Sequence, residues 1–133
     1  MVTRIAVDVG LVVANMEHSL GFYRDLLNLP VVAKSTTSLI GQGRMVQLRH
    51  GESLIKLIEL DNVPSPQHST EISTILGYRY MTLLVSELDA MMTRMVNNAV
   101  TIALSVTKLS NGTKIAMVCD PDGNIVEFVQ EIN

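Results

Sequence analysis

The chain reads as one unit written twice, which leaves few folds open to it. The run Val7-Asp8-Val9-Gly10-Leu11-Val12-Val13 precedes a helix-like stretch, and Arg79-Tyr80-Met81-Thr82-Leu83-Leu84-Val85 precedes another. Each copy closes on an apolar strand with one acid, Leu57-Ile58-Glu59-Leu60 in the first and Val126-Glu127-Phe128 in the second. Superposed on these landmarks, Asp8 pairs with Tyr80, 72 residues away, and Glu59 with Glu127, 68 away. Duplicated modules usually pack about a pseudo-twofold axis, where equivalent positions converge. Four oxygen-bearing side chains on apolar strands are then expected to meet as a metal site or a proton-transfer site.

Local signals predict the same order of elements in both copies. Residues 4–13 are rich in Val and Ile and read as strand. Asn15 offers a side-chain oxygen as N-cap, and Met16, Leu20, Tyr23 and Leu27 recur at three- and four-residue steps, which predicts an amphipathic helix. Asn28 suits a left-handed terminator and Pro30 forbids continuation. Strands are predicted over 31–35, 44–49 and 53–60. The stretch 61–77 carries Pro64, Pro66 and several Ser and Thr, and reads as a linker or flap. In the second copy, residues 78–85 are predicted as strand. Ser86 with Asp89 resembles a capping box, and Leu88, Met91, Met92, Met95 and Val96 form a helical apolar stripe. Strands follow over 101–109, 113–119 and 125–130, punctuated by Asn111-Gly112 and Asp120-Pro121-Asp122-Gly123. The expected fold is α+β: two βαβββ modules forming a curved, cup-shaped mixed sheet. It forms a single domain over 1–133, with module 1 at 1–60, the linker at 61–77 and module 2 at 78–133.

Strand alternation assigns the faces. Ile5, Val7, Val9 and Leu11 are expected under the first helix, with Asp8 on the opposite, concave side. Met81, Leu83 and Val85 are expected under the second helix, with Tyr78, Tyr80 and Thr82 facing the concavity. Glu127 shares its face with Ile125 and Val129, and by analogy Ile55, Leu57 and Glu59 are expected to line the same cup. An apolar cup with a few convergent polar groups is the usual anatomy of a small-molecule site. Crowded carboxylates raise each other's pKa unless a divalent cation relieves them, so either a metal or a protonated carboxyl is expected there. Arg49 and Lys56 are the basic candidates for anchoring an anionic substrate, although sequence alone leaves their strand parity open.

Composition excludes several classes. A formal charge of -3, no basic run, no Trp, two Phe and three Tyr argue against a nucleic-acid partner. The longest unbroken apolar stretch, 9–14, is too short to span a bilayer. With a single cysteine, Cys119, no internal disulfide forms, and its apolar surroundings fit a buried small side chain. These features, with an N-terminus unlike a signal peptide, suggest a soluble cytoplasmic protein. His18, His50 and His68 fall outside the four paired positions, and only His68, in the linker, could reach the cup.

Three segments carry a resemblance: Val9-Gly10-Leu11-Val12-Val13, Ser19-Leu20-Gly21-Phe22-Tyr23-Arg24-Asp25-Leu26-Leu27, and Asp120-Pro121-Asp122-Gly123-Asn124-Ile125-Val126-Glu127. Together they resemble the vicinal oxygen chelate superfamily of glyoxalases, bleomycin-resistance proteins and extradiol dioxygenases. The resemblance implies a divalent metal held by one side chain from each of four strands, here Asp8, Glu59, Tyr80 and Glu127. With no imidazole in the set, manganese or magnesium is implied before zinc, nickel or iron, or else no metal at all.

Two functions follow as expectations. One is a glyoxalase- or epimerase-like enzyme acting on a small carbonyl compound. In it Glu127 or Glu59 moves a proton and Tyr80 donates to the developing enolate, with Tyr78 and Arg49 contacting substrate. The other is a metal-free protein of the bleomycin-resistance type that binds a drug or metabolite, preferably cationic. A homodimer is expected in either case. Ring-cleaving dioxygenase chemistry is disfavoured, because its two-His-one-carboxylate triad is missing.

Overall fold

Two βαβββ units make up the α+β architecture. The computed structural model describes residues 4–66 and 72–132. The chain divides into compact units at Met1–Pro66 and Gln67–Asn133, within the stretch read as the linker.

In module 1 the elements are β1 (Val9–Val12), α1 (Met16–Leu20), a π-helical segment (Gly21–Leu26), β2 (Val31–Thr37), β3 (Gly43–His50) and β4 (Ser53–Leu60). Strand order is β1-β4-β3-β2, with β1 parallel to β4 and the other pairs antiparallel. Asn15 caps α1 as predicted, its Oδ1 accepting from the His18 N–H at 3.0 Å. Asn28 takes the predicted left-handed conformation, with φ 57°.

The helix after Leu20 widens, which the three- and four-residue spacing does not predict. The Leu27 N–H reaches back five residues to the Phe22 carbonyl. Phe22 and Tyr23 are both buried, and their rings meet edge to face at 4.8 Å. A wider turn carries both neighbouring rings into one core, where a regular helix would turn them further apart.

The first strand is shorter than expected. Residues 4–8 run outside the ladder, and Ile5 and Val7 are 93% and 77% exposed. They do not lie under the helix, as alternation predicted. The Asp8 carboxylate takes the Leu54 N–H at 2.8 Å, and the Ser53 hydroxyl accepts from the Val7 N–H at 3.3 Å. Side chains thus satisfy donors that a longer ladder would have paired with backbone.

Module 2 contains β5 (Tyr80–Leu84), α2 (Leu88–Asn97), β6 (Ile102–Lys108), β7 (Lys114–Cys119) and β8 (Ile125–Gln130). Its order, β5-β8-β7-β6, repeats that of module 1, with β5 parallel to β8. Leu88, Met92 and Met95 of α2 are buried, as are Leu83, Ala116, Val118, Val126 and Phe128. Each of these side chains larger than that of Ala116 contributes about 1.5–3 kcal/mol on burial. The Ser86 capping box does not form. Glu87 is the N-cap residue and makes no side-chain cap. The first N–H of α2, from Leu88, is instead taken by Gln130 Oε1 on β8 at 2.8 Å.

Candidate functional site

The ladders decide which residues of the modules are equivalent. In module 1, β1 and β4 pair through Val12 and Ile58, and the Val13 N–H then donates to the Ile58 carbonyl. In module 2, β5 and β8 pair through Leu84 and Val129, and the Val85 N–H donates to the Val129 carbonyl. Ile58 therefore corresponds to Val129, Lys56 to Glu127, and Glu59 to Gln130. Asp8 corresponds to Tyr80. The pairing of Glu59 with Glu127 is thus corrected. It was offset by three residues, and an odd slip exchanges the two faces of a strand.

Hydrogen bonding supports the corrected match. Glu59 Oε2 accepts from the Met16 N–H, at the start of α1, at 2.6 Å. Gln130 makes the same bond to α2. Glu59 lies with buried Ile55 and Leu57 on the helix-covered face, and does not share the face of Glu127. Its other oxygen accepts from Arg44 Nε at 3.0 Å, across the Arg44–Glu59 ladder pair. The Met16 N–H, more than the Arg44 guanidinium, holds the Glu59 carboxyl below the usual range against the opposing effect of burial.

Asp8 is also engaged locally. Its carboxyl is held low first by the Leu54 N–H and then by Arg4, with Lys56 adding a weaker attraction. Arg4 forms an ion pair with Asp8 and also donates to the Glu52 carbonyl.

Opposite its helix, module 1 presents Gly10, Leu54, Lys56 and Ile58 beside Arg49, Gln47 and Met45. Cross-strand pairs run Arg49–Leu54, Gln47–Lys56 and Met45–Ile58, and Gly10 pairs with Lys56 on the other side. The parity left open by sequence is therefore resolved: Lys56 and Arg49 share the helix-free face.

In module 2 the helix-free face carries Tyr80, Thr82, Glu127, Val129, Met117 and Ile115, by the Thr82–Glu127, Met117–Glu127 and Ile115–Val129 pairs. The Thr82 hydroxyl donates to Glu127 Oε1 at 2.7 Å. Sequence reading overlooked Thr82 as a partner of this acid. Tyr80 is 50% exposed, and Tyr78, ahead of β5, is fully exposed. A shallow depression beside the start of α2, lined by Leu84, Ser86, Ala90 and Met91, includes neither Tyr80 nor Glu127.

The donor set does not fit a divalent ion. The position equivalent to Glu127 holds Lys56, whose ammonium is a hydrogen-bond donor with no lone pair to offer a metal. Asp8 is engaged by Arg4 and Leu54, and Glu59 serves the helix on the other face. Among the described residues no three His, Cys, Asp or Glu side chains cluster as metal ligands. His18 lies on α1 and His50 ends β3, while His68 lies outside the described residues. Cys119 is buried, and burial first, then Asp120, pushes its thiol pKa up. No helix among the described residues is long and apolar enough to cross a membrane.

Paired βαβββ modules of this kind define the glyoxalase-like class of folds. The sequence pattern of the Glyoxalase/Bleomycin resistance protein/Dioxygenase superfamily matches residues 5–128, and the chain belongs to that superfamily. Its members commonly bind divalent metals and small molecules and often form dimers. No curated protein sequence matches the chain. Among solved structures, a glyoxalase family protein from Bacillus cereus is similar at TM-score 0.81 and 16% identity, covering 97% of this chain and 95% of that one. The trypanothione-dependent glyoxalase I of Leishmania major is similar at TM-score 0.74 and 21% identity, covering 98% and 88%. Lactoylglutathione lyase from Agrobacterium tumefaciens is similar at TM-score 0.63 and 20% identity, covering 92% and 90%.

Proposed function

We propose that this chain is a metal-independent small-molecule-binding member of the superfamily, of the bleomycin-resistance type. One observation carries the reading: Lys56 stands where the module repeat calls for a second Glu127. A fixed ammonium supplies positive charge without an ion, and it repels a divalent cation. The half-buried apolar residues around it, Met45, Leu54 and Ile58, supply contact area for an organic ligand. A thermal-shift comparison tests the proposal. Small organic ligands are expected to raise the melting temperature, whereas manganese, nickel and zinc are expected to leave it unchanged. Stabilisation by a metal alone would overturn it.

A second reading is favoured by the Thr82–Glu127 bond. The hydroxyl fixes Glu127 Oε1 and leaves the other oxygen to accept a proton from carbon beside a substrate carbonyl. Tyr80, one row along the same face, supports it as a donor to the developing enolate. Glu59, facing the helix, has no part in this chemistry. Proton NMR in deuterated water with a panel of small 2-oxo compounds tests it: exchange beside the carbonyl, abolished in Glu127→Gln, is the expected signature. A cytoplasmic homodimer belongs to the same proposal, with light scattering as its check.

A further inference from the structure

The uncompensated charge on the helix-free face of module 1 is positive, opposite to the sign that the acidic positions suggest from sequence. Lys56 and Arg49 form no ion pair among the described residues, and Asp8, which Lys56 attracts only weakly, is paired with Arg4 and bonded to Leu54. Gln47 lies directly across from Lys56, and its amide nitrogen has only a 3.9 Å contact with Met45 Sδ. Three polar donors thus occupy two successive rows of the β3–β4 ladder, Arg49–Leu54 and Gln47–Lys56. The next row, Met45–Ile58, is apolar. Successive rows on one face lie about 7 Å apart.

Beside Lys56 on the other strand sits Gly10. A Cβ there would meet only Ile58 Cδ1, at 4.0 Å, so the surface is open at this ladder position beside Lys56. The face therefore offers a cationic end, an apolar end one row on, and an open position at Gly10.

We infer that this face binds an amphipathic organic carboxylate, its carboxylate on Lys56, Gln47 and Arg49 and its apolar body over Met45 and Ile58. The inference rests on the small-molecule-binding reading and adds the ligand's charge and the anchoring residues. Guanidinium, ammonium and amide donors match a carboxylate's two oxygens, while a cationic ligand on this face meets two like charges. A body reaching from one row to the next spans about 7 Å, the size of a short aryl-alkyl chain.

The test uses the full-length protein and three probes of one shape: 4-phenylbutyrate, 4-phenylbutyramide and 4-phenylbutylammonium. Isothermal titration calorimetry at low ionic strength is expected to rank the carboxylate first and the ammonium last. Carboxylate affinity should fall with added salt. Lys56→Gln and Arg49→Gln should each weaken it about tenfold or more, the loss expected for a charge-assisted bond. Gly10→Leu should abolish binding with both cations in place, while an unchanged melting temperature shows that the fold is intact. Preferential binding of the ammonium overturns the inference and leaves the binding reading standing. Undiminished carboxylate binding in Lys56→Gln and Arg49→Gln also overturns it. Failure of all three probes, with heat detected only on adding a metal, overturns both.

Discussion

Glu59 provides the sharpest separation between a structural acid and a functional one. Its carboxylate accepts the first N–H of α1 at 2.6 Å and pairs with the half-exposed Arg44 at 3.0 Å. Glu59→Ala removes both contacts. Loss of a capping acceptor costs about 1 kcal/mol, and the exposed ion pair adds roughly 0–1 kcal/mol. A total of about 1–2 kcal/mol is expected. Glu59→Gln keeps an oxygen in place, as Gln130 does for α2, and should cost about 1 kcal/mol or less. For a chain of this size each kcal/mol moves the midpoint by roughly 3–5 °C. Circular-dichroism melts at pH 7 should therefore separate the two variants, with Glu59→Ala the lower. Because the folded carboxyl is held below its ordinary value, its stabilisation is present above the unfolded pKa of about 4.3. It is lost as pH falls through the folded value. The gap between wild type and Glu59→Gln should accordingly narrow below about pH 4. Equal destabilisation by Gln and Ala, or none by either, would refute the capping role.

Gln130→Ala should cost about 0.5–2 kcal/mol in chemical denaturation, and Gln130→Glu should recover most of it, since Glu59 shows that either side chain can cap. Phe128→Ala, at a fully buried site, should destabilise by about 3–5 kcal/mol, read from the urea midpoint at unchanged slope. The Cys119 thiol should resist a thiol-reactive dye at pH 8 in the folded protein and react fully in urea, because burial raises its pKa and covers it. Glu127→Gln should leave the melting temperature nearly unchanged, because its bond to Thr82 lies on the helix-free face.

Much of the fold was legible because its signals are local. The Asn15 cap, the left-handed Asn28 and the bounds of β4 and β8 each depend on a few adjacent residues. What sequence missed depends on partners far along the chain. The start of β1 is decided by Asp8 competing for the Leu54 N–H, 46 residues away. The cap of α2 comes from Gln130, 42 residues beyond Leu88, so Ser86 goes unused. The π-helical turn answers the need to bury Phe22 and Tyr23 together. The face of Glu59 is legible in the apolar register, and matching acid with acid hides it. Aligned without gaps, Ser53-Leu54-Ile55-Lys56-Leu57-Ile58-Glu59 meets Asn124-Ile125-Val126-Glu127-Phe128-Val129-Gln130, with every apolar position on an apolar one. Apolar register reports the pleat, whereas polar identity can change without moving the backbone, so the apolar match was the better guide.

Equilibrium dialysis against manganese, nickel and zinc, followed by elemental analysis, confronts the Lys56–Glu127 equivalence with chemistry. The wild-type protein should retain far less than one ion per chain of each metal. One tightly held equivalent, lost in both Asp8→Asn and Glu127→Gln, would contradict the account.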